Sequence, residues 1–176
     1  STGLRPSEFS ALQVKSWDAA TNELVVTNSH TLDLEYKRVH GSTKTNQVRR
    51  IPIPEGEVRD LIASSSAGRD KSDWLFPGKR GGAMDTNYFR KNFYNPALEK
   101  LGFEEETLYT LRHTFGSLLL ANGVDVVTVS KLMGHATVEQ TLNTYAHELP
   151  GNRVEAMVTI TSIFSSASGE RRGGNE

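Results

Sequence analysis

The chain has 176 residues, a formal net charge of −1, 36% hydrophobic and 23% charged residues, and no cysteine. This length and composition predict one globular domain with its own core and exclude disulfides and thiolate metal sites. No apolar run has the length of a membrane span and no signal peptide is visible, so we expect an intracellular protein without a membrane partner.

The first part of the chain predicts a short helix followed by a small sheet. Ser7–Leu12 has a helical pattern but no start signal before it, which favours an upstream segment. Three later segments have β-branched or alternating residues and are separated by turn-forming residues, including Gly41 and Ser42. The predicted strands are Glu23–Thr27, Asp33–Val39 and Val48–Ile53.

The second part of the chain is mostly helical in pattern, with capping residues at several boundaries. Asp125 is a plausible N-cap, Thr137 with Gln140 fits a capping box, and Pro96 is expected to kink or split one helix. The predicted helices are Glu57–Ser64, Asp85–Leu101, Thr107–Ala121, Val126–Met133, Thr137–Glu148 and Val154–Phe164. The fold class is therefore mainly α with a small three-stranded antiparallel sheet, an α+β domain.

Basic residues are concentrated around the last two predicted strands, and no acidic residue occurs from Tyr36 to Pro54. Acidic residues gather instead at Glu55–Asp60 and Glu104–Glu106. A one-sided basic stripe suits contact with a phosphate backbone, although a solvated hairpin explains the same pattern equally well. The basic residues of this region are Lys37, Arg38, Lys44, Arg49 and Arg50.

The segment from Arg112 to Tyr145 combines three side chains that suit phosphodiester chemistry. Arginine forks onto phosphate oxygens, histidine donates a hydrogen bond or carries a proton, and a tyrosine hydroxyl is a possible nucleophile. These three are Arg112, His135 after the predicted helix end, and Tyr145 on the next helix. Tyr145 shares a helix face with Val138 and Leu142, so an ordinary half-buried aromatic remains the alternative.

Five sequence motifs occur in the order typical of one protein family. They are T-G-L-R-P-S-E, S-T-K-T-N-Q-V-R-R-I-P-I-P, R-H-T-F, L-M-G-H and T-L-N-T-Y-A-H, between Thr2 and about Leu149. Together they resemble the catalytic domain of the tyrosine recombinases, the phage-integrase family. The resemblance implies site-specific DNA recombination or integration through a 3′-phosphotyrosine intermediate, with neither a cofactor nor a metal.

The resemblance also implies a role for each matching residue. Tyr145 is the expected nucleophile, Lys44 the general acid for the leaving 5′-oxygen, and Arg5, Arg112 and His135 the groups that stabilise the charged phosphate. The expected DNA-backbone contacts are Lys37, Arg38, Arg49 and Arg50.

Three neighbours of these residues carry further expectations. Tyr109 is also expected in the catalytic site, where the family usually has the histidine of H-x-x-R; a tyrosine can donate a hydrogen bond there but cannot act as a base near neutral pH. His113 is expected to be structural and to point the other way around its helix. Glu8 is expected to orient Arg5 or Arg112, or else to form a surface pair with Arg5.

The resemblance sets expectations for organisation and partners as well. Residues 1–164 are expected to form the catalytic domain, without the family's N-terminal core-binding domain and the start of the first helix, and residues 165–176 a flexible tail. Expected partners are double-stranded DNA and other protomers in a tetrameric synapse, reached through the C-terminal segment, in a bacterial or phage-infected cytoplasm. Alternatives are a catalytically impaired DNA-binding remnant and a type IB topoisomerase.

Overall fold

The computed structural model describes residues 2–32, 38–42, 48–146 and 158. The strands are β1 (Trp17–Asp18), β2 (Glu23–Val26), β3 (Asn28–Leu32), β4 (Arg38–Ser42) and β5 (Arg49–Pro52). The α-helices are α1 (Pro6–Phe9), α2 (Glu57–Ser66), α3 (Thr86–Phe89), α4 (Asn95–Lys100), α5 (Leu108–Ala121), α6 (Val126–Met133) and α7 (Val138–Tyr145).

A three-stranded antiparallel sheet is present, as predicted, but its strands are not the three that the sequence indicated. Its order is β1-β2-β5, with Leu24 opposite both Trp17 and Ile51. Of the middle predicted strand, Asp33–Val39, residues 33–37 lie outside the described residues, and Arg38 and Val39 belong to β4. β3 pairs with β4 in a separate two-stranded ladder, where Gly41 and Ser42 are strand residues rather than a turn. Strand pairing over polar residues is set by distant partners, so local composition missed both β1 and β3.

Helix α6 begins and ends, and α7 begins, where the capping residues predicted, whereas the predicted end of α7 at Glu148 lies outside the described residues. Asp125 Oδ1 accepts from the Thr128 N–H at 2.9 Å, and Thr137 Oγ1 accepts from the Gln140 N–H at 3.4 Å. Gly134 ends α6 with φ of 66°, a left-handed conformation that glycine adopts without steric cost. The short α6–α7 junction therefore has a defined path, and His135 occupies it.

The helical stretch that contains Pro96 is interrupted as predicted. Asp85 caps α3 by accepting from the N–H groups of Asn87 and Tyr88. A π-helical turn, Arg90–Tyr94, then separates α3 from α4, and Pro96 lies in the first turn of α4. Proline is tolerated there because the first N–H groups of a helix lack intrahelical acceptors.

Two hydrophobic clusters form the core. The first fills the space between the three-stranded sheet, α2 and the N-terminal segment; its buried members are Leu12, Val14, Leu24, Val26, Ile51, Ile53, Ile62 and Leu75. The second lies among α5, α6 and α7 and contains Leu120, Val129, Met133 and Tyr145. The N-terminal segment and β5 meet the α6–α7 junction between these clusters, and this is where the candidate site lies.

Among the described residues, no helix is long and apolar enough to cross a membrane. The predicted helix Val154–Phe164, apart from Val158, and the predicted tail Ser165–Glu176 lie outside the described residues. Lys37 and Lys44 lie outside them too. The backbone of Arg38 is described, as part of β4, but its side chain is not.

Candidate active site

Arg5 links the N-terminal segment to the α6–α7 junction. Its guanidinium donates to Glu8 Oε1 and to the carbonyl oxygen of Gly134, each at 2.8 Å. The Arg5 backbone N–H donates to the other carboxylate oxygen of Glu8, also at 2.8 Å. Because Pro6 has no N–H and starts α1, the chain turns at Arg5 and places Glu8 one helical turn away.

Glu8 is a buried carboxylate, 1% exposed, that pairs with a second arginine. Arg49 donates to its two oxygens at 2.8 and 2.6 Å in a bidentate arrangement, and its Nε donates to the carbonyl oxygen of Leu132 at 3.1 Å. Burial by itself would raise the pKa of Glu8, but hydrogen bonds and charges from Arg49 and Arg5 outweigh it and lower that pKa. Glu8 is therefore ionised at neutral pH, and it fixes two guanidinium groups.

Arg112 is a buried arginine of α5 with unused donor capacity. Its side chain is 5% exposed, and Nη1 donates to the carbonyl oxygen of Gly3. Its Nη2 is buried and has no hydrogen-bond partner among the described residues. Burial, followed by the charge of Arg5, lowers the pKa of Arg112 to about 10, so it stays cationic at neutral pH. A buried donor without an acceptor is costly, and an anion bound beside it would remove that cost.

His135 is held in the α6–α7 junction by a buried hydroxyl. Its Nδ1 lies 2.7 Å from Oγ1 of Thr141, a residue with no exposed surface. Burial lowers the pKa of His135 to about 4, and the charges of Arg112, Arg5 and Arg49 act in the same direction. The imidazole is therefore neutral at pH 7. When the Thr141 hydroxyl donates to Nδ1, the ring proton lies on Nε2, which is then a hydrogen-bond donor.

Tyr145 packs its phenol ring against α5 at Gly116. A Cβ on Gly116 would lie 2.8 Å from Cζ and 3.0 Å from Oη of Tyr145, so this close approach requires glycine. Tyr145 is 3% exposed, and its Oη lies 3.1 Å from Nδ1 of His113. Burial raises the pKa of Tyr145, and the nearby charge of Arg112 opposes that shift. The phenol is consequently protonated at neutral pH.

The expectation that His113 points away from the site is wrong. Gly116 lies three residues after His113 and four after Arg112, so both side chains flank the surface on which Tyr145 packs. Consecutive residues of a helix point about 100° apart, so Arg112 and His113 lie on either side of the Tyr145 ring. The Tyr145 hydroxyl contacts His113, and the charge of Arg112 acts on the same hydroxyl.

The model for the Phage integrase family matches residues 1–151. The chain belongs to the phage integrase family. A XerC-like tyrosine recombinase of Caldanaerobacter subterraneus is 26% identical over 185 residues, which cover 93% of this chain and 47% of the relative. The chain thus spans about half the length of that relative.

Two solved structures of integrases have a similar fold. The Tn1549 transposon integrase, in complex with a circular intermediate DNA, is 25% identical with a TM-score of 0.72, covering 90% of this chain and 55% of that one. The catalytic domain of bacteriophage HP1 integrase is 26% identical with a TM-score of 0.54, covering 90% of this chain and 74% of that one. The expected family and fold are confirmed.

The basic residues of β5 divide between two faces of the strand. Arg49 points inward to Glu8, whereas Arg50 is 53% exposed and pairs with Asp18 at 3.2 Å and Glu23 at 3.0 Å. Arg49 and Arg50 of the basic stripe therefore have acidic partners that come from other elements. Lys131, His135 and Arg50 line a cleft of about 410 Å³ between β5 and the α6–α7 junction.

Sequence reasoning missed several residues that shape this integrase-family site. Thr141 shares a helix face with Tyr145 at i, i+4, which is a signal that it lies near the site. Gly116 and the pairing of Glu8 with Arg49 had no such signal, because each depends on a contact between distant segments. Tyr109 is 47% exposed on α5, one turn before His113.

Replacing Glu8 by glutamine should destabilise the fold strongly. The change leaves Arg5 and Arg49 without their counter-charge, and breaking a buried ion pair in this way costs about 3 kcal/mol. Since the folded state lowers the pKa of Glu8, its contribution is complete above the ordinary carboxyl pKa and is lost as pH falls through the lowered value. Urea unfolding at neutral and acidic pH measures both effects.

Glu23→Gln is the matched control, because Glu23 pairs with the exposed Arg50 and should change the unfolding midpoint much less. Equal midpoints for the wild-type chain and Glu8→Gln at neutral pH would contradict a stabilising role for the buried pair.

Proposed function

We propose that this chain is the catalytic domain of a tyrosine-type DNA recombinase that cleaves and rejoins DNA strands. The observation that carries the proposal is the convergence of Arg5, Arg112, His135 and Tyr145 from separate parts of the chain. The charge of Arg112 acts on the pKa of both His135 and Tyr145, and that of Arg5 acts on His135, so the four groups share one electrostatic environment. These are the residues that the family resemblance assigned to the reaction.

The proposed cleavage step is an in-line displacement at a phosphodiester. The phenolic oxygen of Tyr145 attacks phosphorus and forms a 3′-phosphotyrosyl bond, while the bond from phosphorus to the 5′-oxygen breaks. Lys44, in its family role, gives a proton to that leaving oxygen. The 5′-hydroxyl of another duplex then attacks the phosphotyrosyl phosphorus, which rejoins the strand and releases Tyr145. The phosphotyrosyl bond retains the energy of the original phosphodiester, so rejoining needs no nucleotide cofactor.

The donors of the site suit a pentacovalent phosphorane-like transition state, whose non-bridging oxygens carry extra negative charge. Arg112 Nη2 is a buried donor already in place, and Arg5 is fixed by Glu8 and Gly134. His135 offers its Nε2 proton as a neutral donor. Donors that are in position before the reaction stabilise the developing charge without having to reorganise. Such electrostatic preorganisation is the largest single contribution to the rate enhancement of many enzymes.

Double-stranded DNA is the proposed partner. The Tn1549 integrase and the XerH recombinase have been solved with DNA, and this chain shares their fold. The exposed Arg50 and Lys131 beside the cleft suit phosphate contacts, as do Lys37 and Arg38 in the sequence. Binding that depends on such contacts weakens steeply as the salt concentration rises. We also propose that several protomers assemble on paired sites as a tetrameric synapse.

An active enzyme is favoured over a DNA-binding remnant, because Arg5, Arg112, His135 and Tyr145 are all present and lie in one electrostatic environment. Tyr109 in place of the family's histidine is the feature that supports the remnant. A topoisomerase would relax supercoiled plasmid DNA without needing a second recombination site, so a relaxation assay separates that alternative.

Replacing Tyr145 by phenylalanine should abolish covalent protein–DNA adducts. Only the hydroxyl is removed, and the ring that packs on Gly116 remains, so folding and DNA binding should stay close to wild type. The measurement is a denaturing gel after incubation with a nicked suicide duplex that traps the cleaved strand. Tyr88→Phe, at a half-exposed tyrosine of α3, is the control and should form adducts normally. Adducts from Tyr145→Phe would refute the assignment and direct attention to Tyr109.

Replacing Arg112 by lysine should lower the cleavage rate about 100-fold or more, on the order of 3 kcal/mol in transition-state stabilisation. A lysine donates from one nitrogen, so it cannot reproduce the planar fork in which Nη1 holds the Gly3 carbonyl while a separate nitrogen, Nη2, is free for the phosphate. Single-turnover cleavage of the suicide duplex measures the rate, with Arg59→Lys on α2 as the control. A wild-type rate in Arg112→Lys would argue against bidentate recognition.

Deleting residues from Asn152 onward tests the proposed synapse. The deleted segment contains the apolar residues of Val154–Phe164, which we propose dock either on this domain or on a neighbouring protomer. If these residues dock on a neighbouring protomer, the truncated chain should assemble more weakly than the full chain on paired DNA sites in native gels. Its cleavage by a single protomer should change less. Equal assembly by the truncated and full chains would rule out exchange of this segment.

A further inference from the structure

Within the described part of the chain, the buried hydroxyl of Tyr145 contacts one histidine, His113, and that histidine is exposed to solvent. Tyr145 is 3% exposed, and its Oη is 3.1 Å from His113 Nδ1. His113 itself is exposed on α5. The rings are tilted by 54° with their centroids 5.9 Å apart, so the contact is an edge-on hydrogen bond rather than a stack. His113 thus joins the buried hydroxyl to water.

Attack by Tyr145 requires the phenol to lose its proton. Its pKa is raised by burial, so the phenolate is scarce at neutral pH and a nearby proton acceptor would accelerate the reaction. His135 is poorly suited, because its Nδ1 contacts Thr141 and cationic neighbours oppose a second proton on the ring. Tyr109 offers a phenol that cannot accept a proton near neutral pH.

We propose that His113 is the general base that takes the phenolic proton of Tyr145 during strand cleavage. This inference rests on the proposed recombinase function and adds a catalytic residue to it. As the bond from the Tyr145 oxygen to phosphorus forms and the bond to the 5′-oxygen breaks, the phenolic proton moves to Nδ1 of His113. The leaving 5′-oxygen takes its proton separately, from Lys44. During rejoining the imidazolium returns its proton to the departing phenolic oxygen.

The proposed step uses the His113 tautomer that carries its proton on Nε2. In that tautomer the lone pair of Nδ1 accepts from the phenol of Tyr145, and because the residue is exposed, solvent can take up the proton afterwards. The ionisable groups of the site around His113 are Tyr109 and Arg112 on α5, His135 in the α6–α7 junction, and Tyr145 on α7.

His113→Asn separates proton transfer from positioning. The asparagine amide oxygen can accept the hydrogen bond from Tyr145 near the place of Nδ1, but it cannot take the proton. In single-turnover cleavage of the suicide duplex, we expect a rate about 100-fold below wild type at neutral pH, the lower end of general-base effects. The deficit should shrink as pH rises toward the pKa of the phenol. Thr114→Asn, at the next exposed position of α5, is the control.

A duplex with sulfur in place of the 5′-bridging oxygen gives an independent test. The thiolate leaving group of this substrate departs without a general acid. The substrate therefore restores the cleavage rate of variants that lack the acid, but not of variants that lack the base. We expect His113→Asn to remain slow on this substrate and Lys44→Ala to recover. Rescue of His113→Asn by the sulfur substrate would overturn the assignment as a base.

The failures of this inference and of the proposed function are distinguishable. A wild-type chain that forms no covalent adduct on the suicide duplex would refute the recombinase function itself. A wild-type chain that cleaves, together with a His113→Asn variant that has the same rate and pH profile, would refute only the role of His113. Thermal unfolding and DNA binding of the variant, both expected to match wild type, show that a slow rate is not a loss of folding.

Discussion

The buried carboxylate of Glu8 is the contact on which the rest of the site depends. It accepts from Arg5 and, bidentately, from Arg49, so one anion binds the N-terminal segment to β5. Both arginines then donate to backbone carbonyls at the end of α6, at Gly134 and Leu132. Three separate elements are joined by one ionic cluster. Its bidentate geometry and the additional hydrogen bonds are what make such a buried pair tolerable.

This cluster leaves the site with excess positive charge. Arg5, Arg49 and Arg112 supply three positive charges and Glu8 one negative charge, so two positive charges are in excess. Burial is the main reason why the pKa values of Arg112 and His135 fall, and the charges of the neighbouring arginines act in the same direction. A polyanion entering such a site offsets the repulsion among the arginines. The negative total charge of the chain therefore gives no guide to its local field.

The elements that could be predicted from sequence are those whose ends are set by local hydrogen bonds. The boundaries of α6 follow from Asp125 and Gly134, which act within one helical turn of the residues they cap. The strands were harder, because β1 has two residues and β3 is mostly polar, and both pair with partners elsewhere in the chain. The same limit explains the error at His113, whose environment depends on the packing of α7 against Gly116.

By itself, the sequence determined the family and the positions of α5 and α6, and it named the candidate catalytic residues, since motifs and caps are local in the chain. Only the tertiary structure decided which charges neutralise each other: Arg49 turns inward to Glu8, and Arg50 pairs at the surface with Asp18 and Glu23. Only the fold, likewise, put His113 against the hydroxyl of Tyr145. Electrostatic and hydrogen-bond partners are fixed by distance in space, and residues 32 or 41 positions apart carry no sequence signal of such proximity.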